Sequence, residues 1–379
     1  MAEIVIVGDC CPQFQMKRIL SNAKNYDSIL GEMRESIKAA DYAIVNLETP
    51  ILKKTTKPIG KCGPNFQCPP QVLDLLKWAG FSCCTLANNH FFDFGQEGVE
   101  QTLLSLKENN FDFVGGDTKE NMALLPLKKV IGGIKFALIN CCEHEFSIAE
   151  EGHGGSNPLN PITQYYSIKE VRGWADYVIV IVHGGTEHYQ LPSPRMQETY
   201  RFFIEAGADV VVNHHQHCTS GFEVYKEKPI FYGLGNFLYD HPHYVNDKFN
   251  QGLLLKLTFS KSSGGIKWSF QPFWQCNGNL SVFQFSDAEK SLFEEEMIVL
   301  NQTIKNPHEI KQRYAYLIDS MHSKYSLGME PYNGRILSRL FCYGLLPKTL
   351  KGKHLQVLLN YVDCESHREK LIKTLKALR

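Results

Sequence analysis

Short, wholly apolar strand segments that each run into a polar, ligand-type side chain constrain this 379-residue chain more than any other feature. Residues 3–7 lead into Gly8-Asp9, residues 42–47 into Glu48, and residues 82–87 into Asn88-Asn89-His90. Residues 177–182 lead into His183, and residues 209–212 into Asn213-His214-His215-Gln216-His217. Unbroken β-branched runs belong to strands covered on both faces, because a strand with one wet face alternates apolar and polar residues. Between them, residues 28–40, 70–79, 95–109, 169–175 and 194–206 carry helical spacing of apolar side chains. Strands separated by helices imply βαβ units and a buried sheet. Residues 125–130 and 135–140 flank a Gly132-Gly133 turn. Residues 222–225, 230–233 and 252–259, a turn at 262–265 and residues 266–273 add further β structure. The expected fold is therefore α/β, a layered sandwich of two sheets rather than one doubly wound sheet. From about Asp287 the pattern is helical to the end, over residues 288–302, 307–321, 335–343, 354–361 and 366–378. That change divides the sequence into residues 1–282 and a helical extension, 283–379.

Strand C-termini in layered α/β folds deliver side chains into one crevice. Taken singly, each polar end has an ordinary explanation. Asp9 reads as a turn or cap residue, Glu48 before Pro50 as a loop carboxylate, Asn89 and His90 as a hydrogen-bonded turn, and His183 as a satisfied core histidine. Taken together they need mutual partners or ions, because burying so many unpaired polar groups is unfavourable. The His215-Gln216-His217 spacing puts two imidazoles on one side of an extended segment. Carboxylate, imidazole and amide ligands without thiolate suit manganese, iron or zinc. One carboxylate can bridge two such ions about 3.5–4 Å apart. A histidine beside the site that is not a ligand is placed to protonate a leaving group.

Composition narrows the class. Lys plus Arg and Asp plus Glu are 40 each, so the formal net charge is zero and the basic excess of a phosphate-tracking nucleic-acid binder is missing. The first residues form a strand rather than a signal peptide, and no run reaches the roughly 18 apolar residues of a membrane span. Twelve cysteines in a chain of this size, without CxxC spacing at Cys62 and Cys68, read as reduced thiols. The expectation is a cytoplasmic protein that is not integral to a membrane. The loop 57–70 is rich in glycine and proline and reads as a surface connection. Its Lys61 is either solvated or turned toward an anionic substrate.

Five segments then carry a resemblance. They are Ala40 to Pro50 around Asn46-Leu47-Glu48, and Leu86-Ala87-Asn88-Asn89-His90 followed by Asp93, Gly95 and Gly98. His183-Gly184-Gly185-Thr186-Glu187-His188-Tyr189 is the third and Gly207 to His217 the fourth. Tyr232-Gly233-Leu234-Gly235-Asn236 through Asp240 is the fifth. The chain resembles the CapA family of capsule or poly-γ-glutamate biosynthesis proteins, a branch of the calcineurin-like metallophosphoesterase fold. The resemblance implies an α/β/β/α sandwich holding two divalent metal ions. One would be held by Asp9, Glu48 and His217, the other by Glu48, Asn89, His183 and His215, with Glu48 bridging. His90 would be the leaving-group acid. Glu187, His214, Asn236 and Asp240 would contact substrate or support the ligands. The wider superfamily has a histidine where this chain has Cys11, so Cys11 is expected to mark an open side of the site and a weaker first ion. The implied activity is metal-dependent hydrolysis of a phosphoester or amide bond in an anionic polymer or a small substrate. The alternative is a non-catalytic polymer-handling protein that keeps the fold.

Overall fold

The computed structural model describes residues 1–22, 26–261, 265–332 and 334–378. Most of the turn expected at 262–265 therefore lies outside the described residues. By packing, the chain divides into two compact units, Met1–Ile310 and Lys311–Arg379.

The first unit contains two large sheets. One runs in the order Val282–Gln284, Ile266–Gln275, Gln251–Phe259, Ala2–Cys10, Tyr42–Leu47, Cys83–Thr85 and Asp112–Val114, with Asn236–Leu238 also pairing with Ala2–Cys10. Its Ala2–Cys10 to Asp112–Val114 half is parallel and its other half antiparallel. The second sheet runs Phe222–Tyr225, Lys228–Phe231, Val210–His214, Tyr177–His183, Ile134–Cys142 and Leu127–Ile131.

Strand parity explains the layering. Ile4, Ile6 and Ile44 of the first sheet share one core with Leu138, Ile179, Ile181, Val210 and Val212 of the second. The alternate residues Val5, Val7 and Val45 face a second core with helices Asp27–Lys38, Gln71–Ala79 and Gly95–Glu108. Val178, Val180, Val182 and Val211 face a third with helices Pro161–Arg172 and Pro194–Ala206. Both faces of each central strand are thus dry, which is why these strands are apolar without alternation. The architecture is a four-layer α/β/β/α sandwich, as the sequence leads one to expect.

Two of the departures from expectation bear on the layout. The helix assigned to 169–175 spans Pro161–Arg172. Asn160 caps it by accepting from the Ile162 N–H, and Pro161 occupies the first turn, but the helix has little amphipathic contrast to reveal it. The helix Asp287–Lys305 lies beyond the change in sequence character, yet it belongs to the first unit. Asn301 accepts the Phe222 N–H at 2.7 Å, and Gln197 donates to the Ile304 carbonyl at 2.8 Å.

The second unit is helical, with Arg335–Cys342, Gly352–Asp363 and Glu365–Ala377 following the end of Pro307–Met329. Its Glu330 carboxylate accepts the backbone N–H of Thr349 at 2.9 Å and that of Leu350 at 3.3 Å. No described helix is long and apolar enough to cross a membrane.

Candidate metal centre

The site forms where both sheets present their strand C-termini to the shared core. Parity places Asn46 on the side of Ile44, His183 with Ile181, His214 with Val212, and Asn140 with Leu138. Asp9 would follow Val5 and Val7 to the helix side, but a bulge at Gly8 shifts the register between Val7 and Asp9. Asp9 consequently pairs with Asn46 and Cys10 with Leu47, so the carboxylate turns into the crevice. Only glycine fits there, because a Cβ on Gly8 would sit 1.8 Å from the Gly235 carbonyl oxygen.

Asp9 Oδ1 accepts from Asn46 Nδ2 at 2.6 Å, and Oδ2 accepts the His215 N–H at 3.1 Å and lies 3.3 Å from His217 Nδ1. His183 Nε2 is 3.1 Å from Asn89 Oδ1 and 3.3 Å from Glu48 Oε1. His217 Nε2 is 3.8 Å from the same Glu48 oxygen. Asn236 sets the tautomer of His217: its Nδ2 donates to the Phe249 carbonyl at 2.9 Å, leaving Oδ1 to accept from His217 Nδ1 at 2.9 Å. The Nε2 lone pair is then the one presented to the centre. His215 (φ 90°) and His217 (φ 52°) both occupy the left-handed region, unfavourable for side chains of this size.

Burial and charge point the same way. Both oxygens of Glu48 and Nδ1 of His215 are buried without a hydrogen-bond partner. Burial pushes His183 down to about 4 and His215 well below the ordinary range, keeping both imidazoles neutral and able to ligate. Burial and the neighbouring Asp9 push Glu48 up to about 8. Burial opposes a charge on His217, but Glu48 and the hydrogen bond to Asp9 outweigh it and push His217 up to about 10. Both rises mean that the pocket favours a bound proton on each group, and hence positive charge, over a bare buried carboxylate. A divalent cation fits it: Asp9, Glu48 and His217 offer atoms within 4.8 Å of one another, as do Glu48, His183 and His215.

Beside this centre lies a second polar group. His90 Nδ1 is 2.7 Å from Asp93 Oδ2, which also accepts the Phe66 N–H at 2.7 Å. Lys61 Nζ pairs with Asp93 Oδ1 and lies 3.2 Å from His90 Nδ1. The loop lies at the surface as expected, but the Lys61 side chain is only 1% exposed, so it is not solvated: the loop folds this lysine inward onto a buried aspartate.

The other expected residues separate by role. His214 is buried opposite His183, with Nδ1 4.0 Å from Asp9 Oδ1 and neither ring nitrogen hydrogen-bonded. Asp240 accepts the backbone N–H groups of Gln13 and Met16, at 2.7 and 2.8 Å, and so anchors the start of helix Phe14–Asn22. Cys11 is fully buried in an apolar cluster with Tyr239 and Phe249, and burial pushes its thiol up. That side of the site is closed by aromatic rings, not open. Glu187 is exposed at the mouth. Sequence reasoning passed over Asn46, Asp93 and Glu145 as site residues and did not notice Asn140. Glu145 Oε1 reaches within 4.0 Å of His215 Nε2. Asn140 Oδ1 accepts the N–H groups of Leu86 and Ala87, and its Nδ2 donates to the Ile181 carbonyl at 3.0 Å, stitching the sheets beneath the site. Strand parity was the signal that would have found Asn46 and Asn140.

Residues 3–241 match the family described as bacterial capsule synthesis protein PGA_cap, and that span holds every residue of this centre. The chain belongs to that family. It is 32% identical over 246 residues to the capsule biosynthesis protein CapA of Bacillus anthracis, covering 62% of this chain and 59% of that protein. It is 29% identical over 241 residues to the PGA biosynthesis protein CapA of Bacillus subtilis (strain 168), covering 62% of each. The alignments thus span about three-fifths of these PGA_cap relatives. Among solved structures, a putative 5'-nucleotidase from Staphylococcus aureus aligns at TM-score 0.44 and 13% identity, over 78% of this chain and 58% of that one.

Proposed function

We propose that this chain is a dinuclear metal-dependent hydrolase of capsule or poly-γ-glutamate biosynthesis, cleaving a phosphoester or amide bond in an anionic polymer or a small substrate. The observation that carries the reading is the buried Glu48 carboxylate, both oxygens without hydrogen-bond partners, set between His183 on one side and Asp9 and His217 on the other. Asp9, Glu48 and His217 would hold one ion, and Glu48, Asn89, His183 and His215 the other. Two divalent ions supply charge stabilisation and an activated water for an in-line or tetrahedral displacement.

The rest falls to the chain's own residues. Asp93 accepts from His90 Nδ1, which fixes the ring and leaves Nε2 to carry a proton toward a leaving group. Lys61 neutralises Asp93 and holds it in place. Asn236 and Asn46 orient His217 and Asp9. Free cysteines throughout, mostly buried, support a reducing, cytoplasmic setting.

The test is turnover of manganese-loaded protein on paired panels of phosphoesters and amides. Turnover should be abolished by chelation and by Glu48→Ala, and lowered by His90→Ala. Metal-loaded protein that turns over neither panel, and supports polymer production equally well with His90→Ala, would instead favour the polymer-handling reading.

A further inference from the structure

The PGA_cap centre has a third carboxylate within reach. Glu187, His215 and His217 offer ligand atoms within 4.8 Å of one another, the same closeness that defines the two ligand groups already described. His217 belongs to both this group and the Asp9–Glu48 group, and with its Nδ1 committed to Asn236 its Nε2 is the nitrogen left to ligate. His215 brings a buried Nδ1 with no hydrogen-bond partner.

Glu187 is held in this position by the backbone, not left to a free loop. The N–H of His188 donates to the carbonyl of Gln216, between the two histidines, at 2.8 Å. Gln216 Nε2 returns a bond to the Tyr189 carbonyl at 2.7 Å. The N–H of Tyr189 closes the turn onto Thr186 at 3.2 Å, and His188 adopts φ 59° to make it. The turn bearing Glu187 is therefore in fixed register with the segment bearing His215 and His217. Cys11, by contrast, is buried among Tyr239 and Phe249.

We propose that Glu187 is a metal ligand that completes the ion held by Asp9, Glu48 and His217, in place of any contribution from Cys11. The inference rests on the two-ion reading of the site. Three carboxylates also balance two divalent cations better than two do, which strengthens retention of the ion at Asp9.

Manganese(II) titration of the full chain, followed by elemental analysis and electron paramagnetic resonance, tests it without any assay of activity. Wild type should take up two ions and give the spin-coupled signal of a manganese pair. Glu187→Gln should keep one ion, bind the second at least about tenfold more weakly, and give the signal of isolated manganese. Cys11→Ser should match wild type. Glu187→Asp, which keeps the charge on a shorter arm, should fall between, and thermal melts of the metal-free variants should match wild type because Glu187 is exposed. Unchanged stoichiometry, affinity and coupling in Glu187→Gln would overturn the assignment while leaving the two-ion site intact. Loss of the second ion in Cys11→Ser would overturn it in favour of the thiol. Wild type that takes up no manganese would overturn the two-ion reading itself.

Discussion

Asn46 Nδ2 donates to Asp9 Oδ1 at 2.6 Å across neighbouring parallel strands, so the first carboxylate of the centre is fixed to the sheet rather than to a loop. Thr85 Oγ1 in turn donates to Asn46 Oδ1 at 3.0 Å, which prevents the amide from flipping. Asn46→Ala should leave the fold intact and weaken manganese binding about 10- to 100-fold, the usual consequence of removing a group that orients a ligand. Calorimetric titration of variant and wild type measures it. Equal affinities would mean that Asp9 needs no such support.

Gly8 is where the backbone turns Asp9 inward, and the Gly235 carbonyl occupies the space a side chain would need. Neither strand can move away, since the Asp9 N–H donates to that same carbonyl at 3.2 Å. Gly8→Ala should destabilise the first unit by about 3 kcal/mol, the upper end of ordinary overpacking. The melting temperature should drop by roughly 6 °C or more. Gly133→Ala is the control for glycine loss in general, because nothing lies within 4 Å of a Cβ there, although its positive φ adds a modest penalty.

Lys61 and Asp93 form a buried pair, and removing one partner strands the other. Lys61→Met should destabilise the protein by about 3–5 kcal/mol in denaturant melts, because the Asp93 carboxylate is then uncompensated. Asp93→Asn in the same background should recover part of that loss. On any substrate turned over, Lys61→Met should lower kcat more than it raises KM, since His90 loses its fixed partner while the ligand set is untouched. Lys61→Arg, which keeps the charge, should restore part of the rate.

How far the sequence reveals this molecule depends on which physical signal each element leaves. The central strands are legible because both faces are dry, and the helices Pro194–Ala206 and Gly95–Glu108 because their apolar residues recur at helical spacing. Asp9, Glu48, Asn89, His183, His215 and His217 are legible because each polar group ends an apolar run, and the structure brings all of them to one crevice. Asp93 and Lys61 left no such signal: they lie in loop sequence, and only the fold of that loop turns the lysine inward. Cys11 follows Asp9 closely in sequence, yet Cys10 already points to the helix side and Cys11 packs under aromatic rings. Register and side-chain direction after a bulge are tertiary facts.

Asp240 offers a clean pH signature away from the proposed metal ligands. Burial raises its carboxyl from the ordinary 3.8 to about 6, and the hydrogen bonds from the Met16 and Gln13 N–H groups only partly oppose the rise. The folded protein therefore holds a proton on Asp240 in a range where the unfolded chain has released it. Below the unfolded value both states are protonated, and the contribution to stability is full. As pH rises toward 6 the folded state must bear a buried charge that the unfolded state carries in water, so the contribution is lost. Wild type minus Asp240→Asn, compared in urea melts of metal-free protein, should show a stability difference that shrinks as pH rises from about 4 to 6 and is flat above that window. A difference that grows with pH would mean the two backbone hydrogen bonds outweigh burial, with Asp240 ionised throughout as the anchor of helix Phe14–Asn22.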